Sequence, residues 1–173
     1  MQLSDFRDIA APPETVWAAI LNPEVLKACI PGCESMTGSP EAGYEAVVVQ
    51  KVGPVSARFT GLVKLSDFIV GQAVTISGEG KGGPAGYAKG GAKVTLAAQG
   101  DGTRLSYVVD ANVGGKIAQL GSRIIDGFAK KLADQFFENF KTALEPQTDE
   151  EAAADGAEDD TDKKKGWFRR LTG

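Results

Sequence analysis

Cys29 and Cys33 are the residues whose types would most readily support metal or redox chemistry. Three residues separate them, and the chain contains no histidine. Serine triads, cysteine–histidine pairs and histidine-rich zinc sites are therefore excluded, and two thiols alone are too few for a four-ligand metal site. We interpret both cysteines as small packing residues at a tight corner, and we expect neither a metal nor a catalytic residue.

A glycine pattern and two basic residues are the other candidates for chemistry. Gly78, Gly80 and Gly83 match the spacing of a dinucleotide-binding loop, but a proline and a further predicted strand follow where that loop needs a helix. Lys116 and Arg123 could hydrogen-bond a ligand carbonyl, although a solvated helix face explains them equally well. The sequence shows no pair of carboxylates and no activated nucleophile.

The charge distribution divides the 173 residues into three segments. Residues 1–145 carry 14 basic and 15 acidic side chains, residues 146–162 carry eight acidic and no basic ones, and residues 163–173 carry five basic and no acidic ones. The first segment has no basic patch typical of a nucleic-acid binder, no apolar run that would span a bilayer and no secretory signal. We expect a cytoplasmic domain, a disordered acidic linker and a basic tail.

The hydrophobic pattern predicts an α+β domain. Pro13 and Asn22 mark the starts of two short helices. Apolar residues then alternate with polar ones between turn signals, which predicts consecutive antiparallel strands. The predicted strands are 3–9, 33–38, 43–52, 55–66, 72–80, 85–98 and 103–113.

The last part of the domain has the strongest helical pattern. Apolar residues recur every three or four positions from Ile117 to Leu144. This pattern predicts one amphipathic helix of about 28 residues, or about 42 Å. Because one face is rich in phenylalanine, we expect this helix to lie across the sheet.

Alternating strand directions place several connections at one end of the sheet. The corner 29–33 and the connections 53–54, 81–84 and 114–115 should meet there, next to the start of the long helix. This end is rich in glycine and is interpreted as the mouth of a groove between sheet and helix. The alternative is that these segments are ordinary tight turns.

Small residues dominate the predicted inward face near this mouth. If Leu105 and Phe59 face the helix, then Gly86, Ala88 and Gly90 point inward with Gly78 and Gly80 on the neighbouring strand. Interiors pack densely, so a bare sheet beneath an apolar helix favours a ligand cavity. The glycines could also let the sheet coil tightly around the helix, and both explanations can hold.

The order of these elements resembles the START-like, or SRPBCC, helix-grip fold. Within that superfamily, residues 1–145 resemble the CoxG family of carbon monoxide dehydrogenase subunits. The segments that carry the resemblance are PETVW at 13–17, LKACIPGCE at 26–34, KVGPV at 51–55, Phe59 with Gly61, GEG at 78–80 and GGKIAQLGSR at 114–123.

This resemblance implies both a fold and a function. The fold would be a seven-stranded curved antiparallel sheet around a long C-terminal helix, with two short helices after the first strand. The function would be that of a non-catalytic accessory protein that brings the molybdenum CO dehydrogenase complex to the inner face of the cytoplasmic membrane. It would bind no covalent cofactor, but an apolar ligand from the membrane quinone pool, a respiratory quinone (menaquinone or ubiquinone).

The predicted ligand site combines inward strand positions with the first turns of the long helix. Alternatives are a cyclase- or aromatase-like enzyme, a carrier of another hydrophobic ligand, or a structural adaptor with a vestigial pocket. Tyr107 is the main polar inward residue available to such an enzyme. The predicted ligand-binding residues are Val55, Phe59, Val63, Ile76, Gly86, Ala88, Gly90, Tyr107, Val109, Val113, Ile117, Leu120, Gly121, Ile124 and Phe128.

The basic tail has the composition of a membrane-surface anchor. On a helical turn its aromatic and leucine side chains share one face, flanked by basic residues that anionic lipid attracts. The alternative is that the tail docks on a protein partner. The predicted membrane-binding residues are Lys163, Lys164, Lys165, Trp167, Phe168, Arg169, Arg170 and Leu171.

Overall fold

The computed structural model describes residues 1–145. The acidic linker and the basic tail predicted from the sequence lie outside these residues. The elements are β1 (Gln2–Ile9), α1 (Pro13–Ile20), α2 (Pro23–Cys29), β2 (Cys33–Ser39), β3 (Gly43–Val52), β4 (Val55–Ile69), β5 (Ala73–Lys81), a 3₁₀ turn (Gly83–Ala85), β6 (Tyr87–Gln99), β7 (Gly102–Gly114), a second 3₁₀ turn (Lys116–Leu120) and α3 (Ser122–Leu144).

The seven strands form one sheet in the order β1-β7-β6-β5-β4-β3-β2. Every neighbouring pair is antiparallel. The consecutive strands β2 to β7 follow the predicted meander, and β1 closes the sheet beside β7. The predicted fold class, an α+β helix-grip fold with two short helices after β1 and a long C-terminal helix, is confirmed.

The two short helices begin at the predicted signals. Pro13 occupies the first position of α1, where no backbone N–H is needed. The side chain of Asn22 caps α2 by accepting a hydrogen bond from the Glu24 backbone N–H at 2.9 Å. These caps place both helices next to the end of β1 and the C-terminal part of α3.

The predicted 28-residue helix is wrong at its start. Residues Lys116–Leu120 form a 3₁₀ turn, and Gly121 has a φ of 92°, which an α-helix cannot include. The α-helix therefore begins at Ser122 and has 23 residues, about 35 Å of axis. The i,i+3 spacing of Ile117 and Leu120 fits a 3₁₀ turn as well as an α-helix.

The start of β6 also differs from the prediction. Gly86 was expected to be an inward strand residue, but it closes the 3₁₀ turn Gly83–Ala85 with a φ of 120°. A Cβ atom at this position would clash with the carbonyl of Gly114. Gly86 therefore serves close backbone packing between two connections, and β6 begins at Tyr87.

Candidate ligand-binding groove

Burial changes along each central strand. We call the end of the sheet that holds connections 53–54, 82–86 and 115–121 the mouth, and the opposite end the far end. On β7, Leu105 is 0% and Tyr107 5% exposed, whereas Val109 and Val113, further toward the mouth on the same face, are only half-buried. The closed core therefore occupies the far half of the domain.

The facing helix shows the same gradient. Phe140 is 0% and Phe137 7% exposed near the C-terminus of α3, whereas Phe128 is half-buried and Ile124 is 42% exposed. Sheet and helix therefore pack tightly at the far end. Toward the mouth both layers present apolar side chains that the other layer does not cover, which leaves a groove between them.

The floor of this groove is built from small residues. Gly61, Gly80 and Ala88 lie side by side on β4, β5 and β6, and Gly78 pairs with Gly90 in the next row. Two rows further toward the far end, the equivalent positions on β5 and β6 hold larger side chains. The predicted decrease in side-chain size toward the mouth is therefore present in the sheet.

The glycines of the floor serve two different purposes. A Cβ atom at Gly90 would clash with the Asp110 carbonyl and the Ala111 backbone, so this glycine permits close strand approach. A Cβ atom at Gly80 would have the Thr60 carbonyl oxygen as its nearest neighbour, at 4.0 Å, which is open space. Gly80 therefore contributes room to the groove, and both explanations considered for the sequence hold at different positions.

The connections predicted to meet at the mouth do converge there. A Cβ atom at Gly53 would lie 3.5 Å from the Leu120 side chain and 3.6 Å from Ile124. The 3₁₀ turn Gly83–Ala85 packs beside Gly115. Between these connections lies an open cleft of about 690 Å³. Its lining is Pro54, Val55, Ser56, Ala57, Arg58, Gly82, Pro84, Ala85 and Lys116.

The corner at the cysteines extends further than predicted. Gly32 contacts β3 at Val49, toward the mouth. Cys29, however, is 1% exposed in the far core, and its carbonyl accepts a hydrogen bond from Asn139 Nδ2 at 2.9 Å. Burial raises the pKa of the Cys29 thiol. Residues 1–145 hold no group of three or more acidic or cysteine side chains placed to bind a metal ion.

Most predicted ligand residues surround the groove. Phe59 stacks its ring against the backbone of Gly82 at the mouth, where a Cβ atom would clash with it. Ile117 is buried beneath the second 3₁₀ turn, and Gly121 forms the exposed break before α3. The predicted residues that are half-buried on the groove side are Val55, Phe59, Val63, Ile76, Ala88, Gly90, Val109, Val113, Leu120 and Phe128.

Tyr107 does not face Ile124 and Phe128 as predicted. Its ring stacks on Phe137 with centroids 5.1 Å apart, and its hydroxyl accepts a hydrogen bond from Arg7 Nη2 at 3.1 Å. Because the direction of α3 places Phe137 well past the middle of the helix, Tyr107 belongs to the closed core. It forms the inner end of the groove rather than its wall.

The sequence interpretation missed a polar cluster beside Tyr107. Arg7 Nη2 also donates to Asp134 Oδ1 at 2.7 Å, and its guanidinium lies 5.1 Å from the Phe137 ring centroid. Hydrogen bonds from Lys130 and Arg7 hold the pKa of Asp134 below its usual value. The alternation of β1 could have placed Arg7 on the inward face with Leu3 and Ile9, but nothing local indicates its partner on α3.

Comparisons with known proteins agree with this architecture. A conserved protein from Geobacillus kaustophilus is 26% identical, with 83% of this chain and 94% of that chain covered and a TM-score of 0.77. A START superfamily protein from Mycobacterium smegmatis is 14% identical over 83% of this chain and 96% of its own, with a TM-score of 0.63. A protein from Thermus thermophilus is 16% identical over 91% and 100%, also with a TM-score of 0.63.

The family comparison is more specific than these structural similarities. No curated protein matches the chain. The family model of the carbon monoxide dehydrogenase subunit CoxG matches residues 6–145, which include the whole sheet beyond its first positions and all of α3. The chain therefore belongs to the CoxG family of carbon monoxide dehydrogenase subunits.

Proposed function

We propose that this protein binds a long apolar ligand, a respiratory quinone, in the groove between the sheet and α3. Family membership and the START-like fold support an accessory, ligand-binding role beside CO dehydrogenase. In the proposed role the protein associates with the inner face of the cytoplasmic membrane and links the dehydrogenase to the membrane quinone pool.

The observation that carries the proposal is the gap between two apolar layers. Interiors normally pack to the density of organic crystals. Here, however, Val109 and Val113 on the sheet and Ile124 and Phe128 on the helix remain partly exposed to the space between them. An apolar occupant would cover these surfaces and gain the free energy of removing them from water.

The groove suits an elongated ligand that enters by one end. Its inner end is closed by Tyr107 and Phe137, and the distance along α3 from Ile124 to Phe137 is about 20 Å. The mouth carries the polar groups nearest to the opening, since Arg58 and Lys116 line the cleft there. An isoprenoid chain would occupy the groove, and the quinone ring would lie either beside these cations or at the inner end.

We propose that the protein performs no chemistry on this ligand. Catalysis by general acids and bases needs titratable groups within hydrogen-bonding distance of the reacting atoms. The inward positions on the groove floor are apolar residues or glycine, and the polar groups at the inner end, Arg7, Tyr107 and Asp134, already bind one another. This arrangement supports carriage of a ligand over the cyclase-like alternative.

Membrane association is proposed to involve the basic tail. None of the helices within residues 1–145 has both the length and the apolar character needed to cross a bilayer. The five basic residues of 163–173 would each gain about 1 kcal/mol near an anionic surface, and Trp167 and Phe168 suit the headgroup boundary. Truncation after Glu145 should therefore reduce flotation with anionic liposomes, and equal flotation of both chains would remove the tail from the proposal.

Thermal unfolding tests the binding proposal. A ligand that binds only the folded state raises the free energy of unfolding in proportion to the logarithm of its concentration. A short-chain quinone analogue such as decylubiquinone should therefore raise the melting temperature progressively. An aliphatic alcohol of equal chain length serves as the control for nonspecific apolar binding. The absence of any quinone-dependent shift in ligand-free protein would contradict the proposal.

A further inference from the structure

The mouth end of the domain is surrounded by positive charge. Basic side chains project from β3, β5, β6, the second 3₁₀ turn and the first turn of α3, and all of them are exposed. We call this set the basic rim. It consists of Lys51, Lys81, Lys89, Lys116 and Arg123.

The rim is largely free of compensating carboxylates. Lys81 forms an ion pair with Glu79, with 3.6 Å between Nζ and Oε2, and the neighbouring Arg58 pairs with Glu34. Within residues 1–145, the other four members of the rim form no ion pair. The nearest acidic residue of α3 is Asp126, one turn after Arg123. The mouth therefore carries a net positive charge.

The opposite end of the domain carries no such cations in its connections. The connections 40–42 and 100–101 hold Glu41 and Asp101, whereas 10–12 and 70–72 hold no charged residue. Glu145 also lies at this end, so the far end would be repelled by an anionic surface. The near-neutral overall charge of residues 1–145 thus hides a separation of charge along the groove axis.

We propose that the basic rim docks the mouth of the groove directly onto an anionic lipid surface. This inference deepens the proposed function, because a quinone carrier must open toward the bilayer to load its ligand. Basic residues close to an anionic membrane are each attracted to it. The rim surrounds an opening that also exposes Tyr87 (50%) and Ile124 (42%), whose side chains suit the headgroup boundary and the apolar layer.

These apolar groups favour a membrane over an acidic protein as the occupant. A rim of cations around an exposed tyrosine and isoleucine matches the layered chemistry of a bilayer surface, with phosphates outside and acyl chains beneath. The groove itself opens between these residues. Docking on lipid would therefore place the apolar lining in continuity with the acyl chains, so that a quinone could enter without crossing water.

The position of the rim makes it independent of the basic tail. The chain leaves the described domain at Glu145, whose carboxylate accepts a hydrogen bond from the Ala10 N–H at the far end, 3.0 Å away. The axis of α3 separates this point from Ser122 at the mouth by about 35 Å. Attachment of the chain beyond Glu145 to a membrane would therefore not by itself orient the mouth toward the bilayer.

Vesicle binding by charge-reversal variants of the full chain tests the rim. The triple variant Lys51→Glu, Lys81→Glu, Lys116→Glu is compared with a control, Lys64→Glu, Lys93→Glu, Lys131→Glu, which has the same net charge. The control lysines are exposed on the outer face of the sheet and the solvent side of α3, and none pairs within residues 1–145. Partition onto phosphatidylglycerol–phosphatidylcholine vesicles is measured by cosedimentation.

The rim variant should lose about a hundredfold in partition relative to wild type, because each basic residue near the surface contributes about fivefold. The control variant should lose far less, and rising salt should weaken wild-type binding. Equal losses in both variants, or none in the rim variant, would overturn the proposal. Exclusive binding of the rim to an acidic protein, with vesicle binding unchanged, would also overturn it.

The orientation of the docked domain gives a second readout. In a Cys33→Ser background, a fluorophore is attached at Gln119→Cys near the mouth or at Asp101→Cys at the far end. Spin-labelled lipid should quench the label at position 119 more strongly, and equal or reversed quenching would contradict mouth-down docking. Quinone-dependent melting of the rim variant is measured in parallel. A rim variant that binds quinone but not vesicles separates this inference from the binding proposal itself.

Discussion

Arg7 on the edge strand β1 donates a hydrogen bond to Asp134 on α3 at 2.7 Å, across 127 positions of sequence. The same guanidinium donates to Tyr107 at 3.1 Å, so one side chain joins the edge strand, the sheet and the helix. This link lies where the closed core meets the groove. It holds α3 against the sheet on the core side, while the part of the helix toward Ile124 remains uncovered.

The Arg7–Asp134 link predicts a specific loss of stability in acid. Because hydrogen bonds from Lys130 and Arg7 lower the folded-state pKa of Asp134, its contribution is fully present above the unfolded pKa of about 4. It is lost as the pH falls from there through the lower, folded-state pKa. Urea unfolding at a series of pH values should therefore show a shallower acid loss in Asp134→Asn than in wild type.

Lys130→Gln is the control for this titration. It removes only the exposed i,i+4 pair, which is worth about 0.3–0.5 kcal/mol, and leaves Arg7 bound to Asp134. Most of the acid-dependent loss should therefore remain in Lys130→Gln. An unchanged acid profile in Asp134→Asn would show that the link contributes nothing to stability.

Filling the groove floor should displace the ligand without unfolding the domain. Ala88→Leu and Gly80→Leu add apolar bulk to a gap rather than to a packed core, so quinone binding should fall sharply while the circular dichroism spectrum is retained. Ala97→Leu, on the exposed outer face of β6, adds a similar side chain and should leave binding unchanged. Full ligand retention in both floor variants would show that the assigned inward face is wrong.

Gly90→Leu should behave differently from these two floor variants. The sequence alone suggested that leucine at position 90 would fill the groove and leave the fold intact. The clash of a Cβ atom with the Asp110 carbonyl instead predicts a loss of stability through distortion of the β6–β7 pair. A melting temperature equal to that of wild type would contradict this steric assignment.

Truncations in the groove and in the core should separate binding from stability. Phe59 and Ile124 are partly exposed, so Ile124→Ala should cost only roughly 1 kcal/mol, and both alanine variants should weaken quinone binding. Phe140 is 0% exposed, and Phe140→Ala should cost about 3–5 kcal/mol. Thermal melts with and without quinone measure both effects. An equal ligand-induced shift in Phe59→Ala and wild type would remove Phe59 from the site.

The two thiols should be slow to react in the native protein. Burial raises the pKa of Cys29, and it also raises the pKa of Cys33 despite a hydrogen bond to the Ser35 carbonyl. Because the thiolate is the reactive form, modification of Cys29 at neutral pH should require unfolding. Mass-resolved labelling with iodoacetamide, with and without urea, checks this expectation. Rapid native labelling of Cys29 would indicate that α2 opens away from the core.

The sequence predicts the sheet well because its signals are local. Alternation along β4 and β7 and the turn residues between strands fix the order and direction of the strands without knowledge of distant contacts. The errors arise where different conformations share one pattern. Ile117 and Leu120 have the spacing of an α-helix and of a 3₁₀ turn alike, and only the backbone at Gly121 distinguishes them.

The candidate site is less predictable because it depends on contacts between distant segments. Asp134 lies on a face of α3 that is otherwise polar, and its partner Arg7 is far away in sequence, so the cluster could not be inferred from spacing. The same limit applies to the floor. Gly80 and Gly90 look alike in the sequence, but only the approach of the Asp110 carbonyl shows that Gly90 serves strand packing.

Identification of the ligand carried by the protein tests the central claim most directly. The full chain is expressed in a host whose membrane contains quinones and purified without detergent, and its organic extract is analysed by mass spectrometry beside that of Ala88→Leu. We expect a stoichiometric isoprenoid quinone in the wild-type extract and little in the variant. A wild-type extract without quinone, or equal amounts of quinone from both proteins, would contradict quinone carriage in the groove.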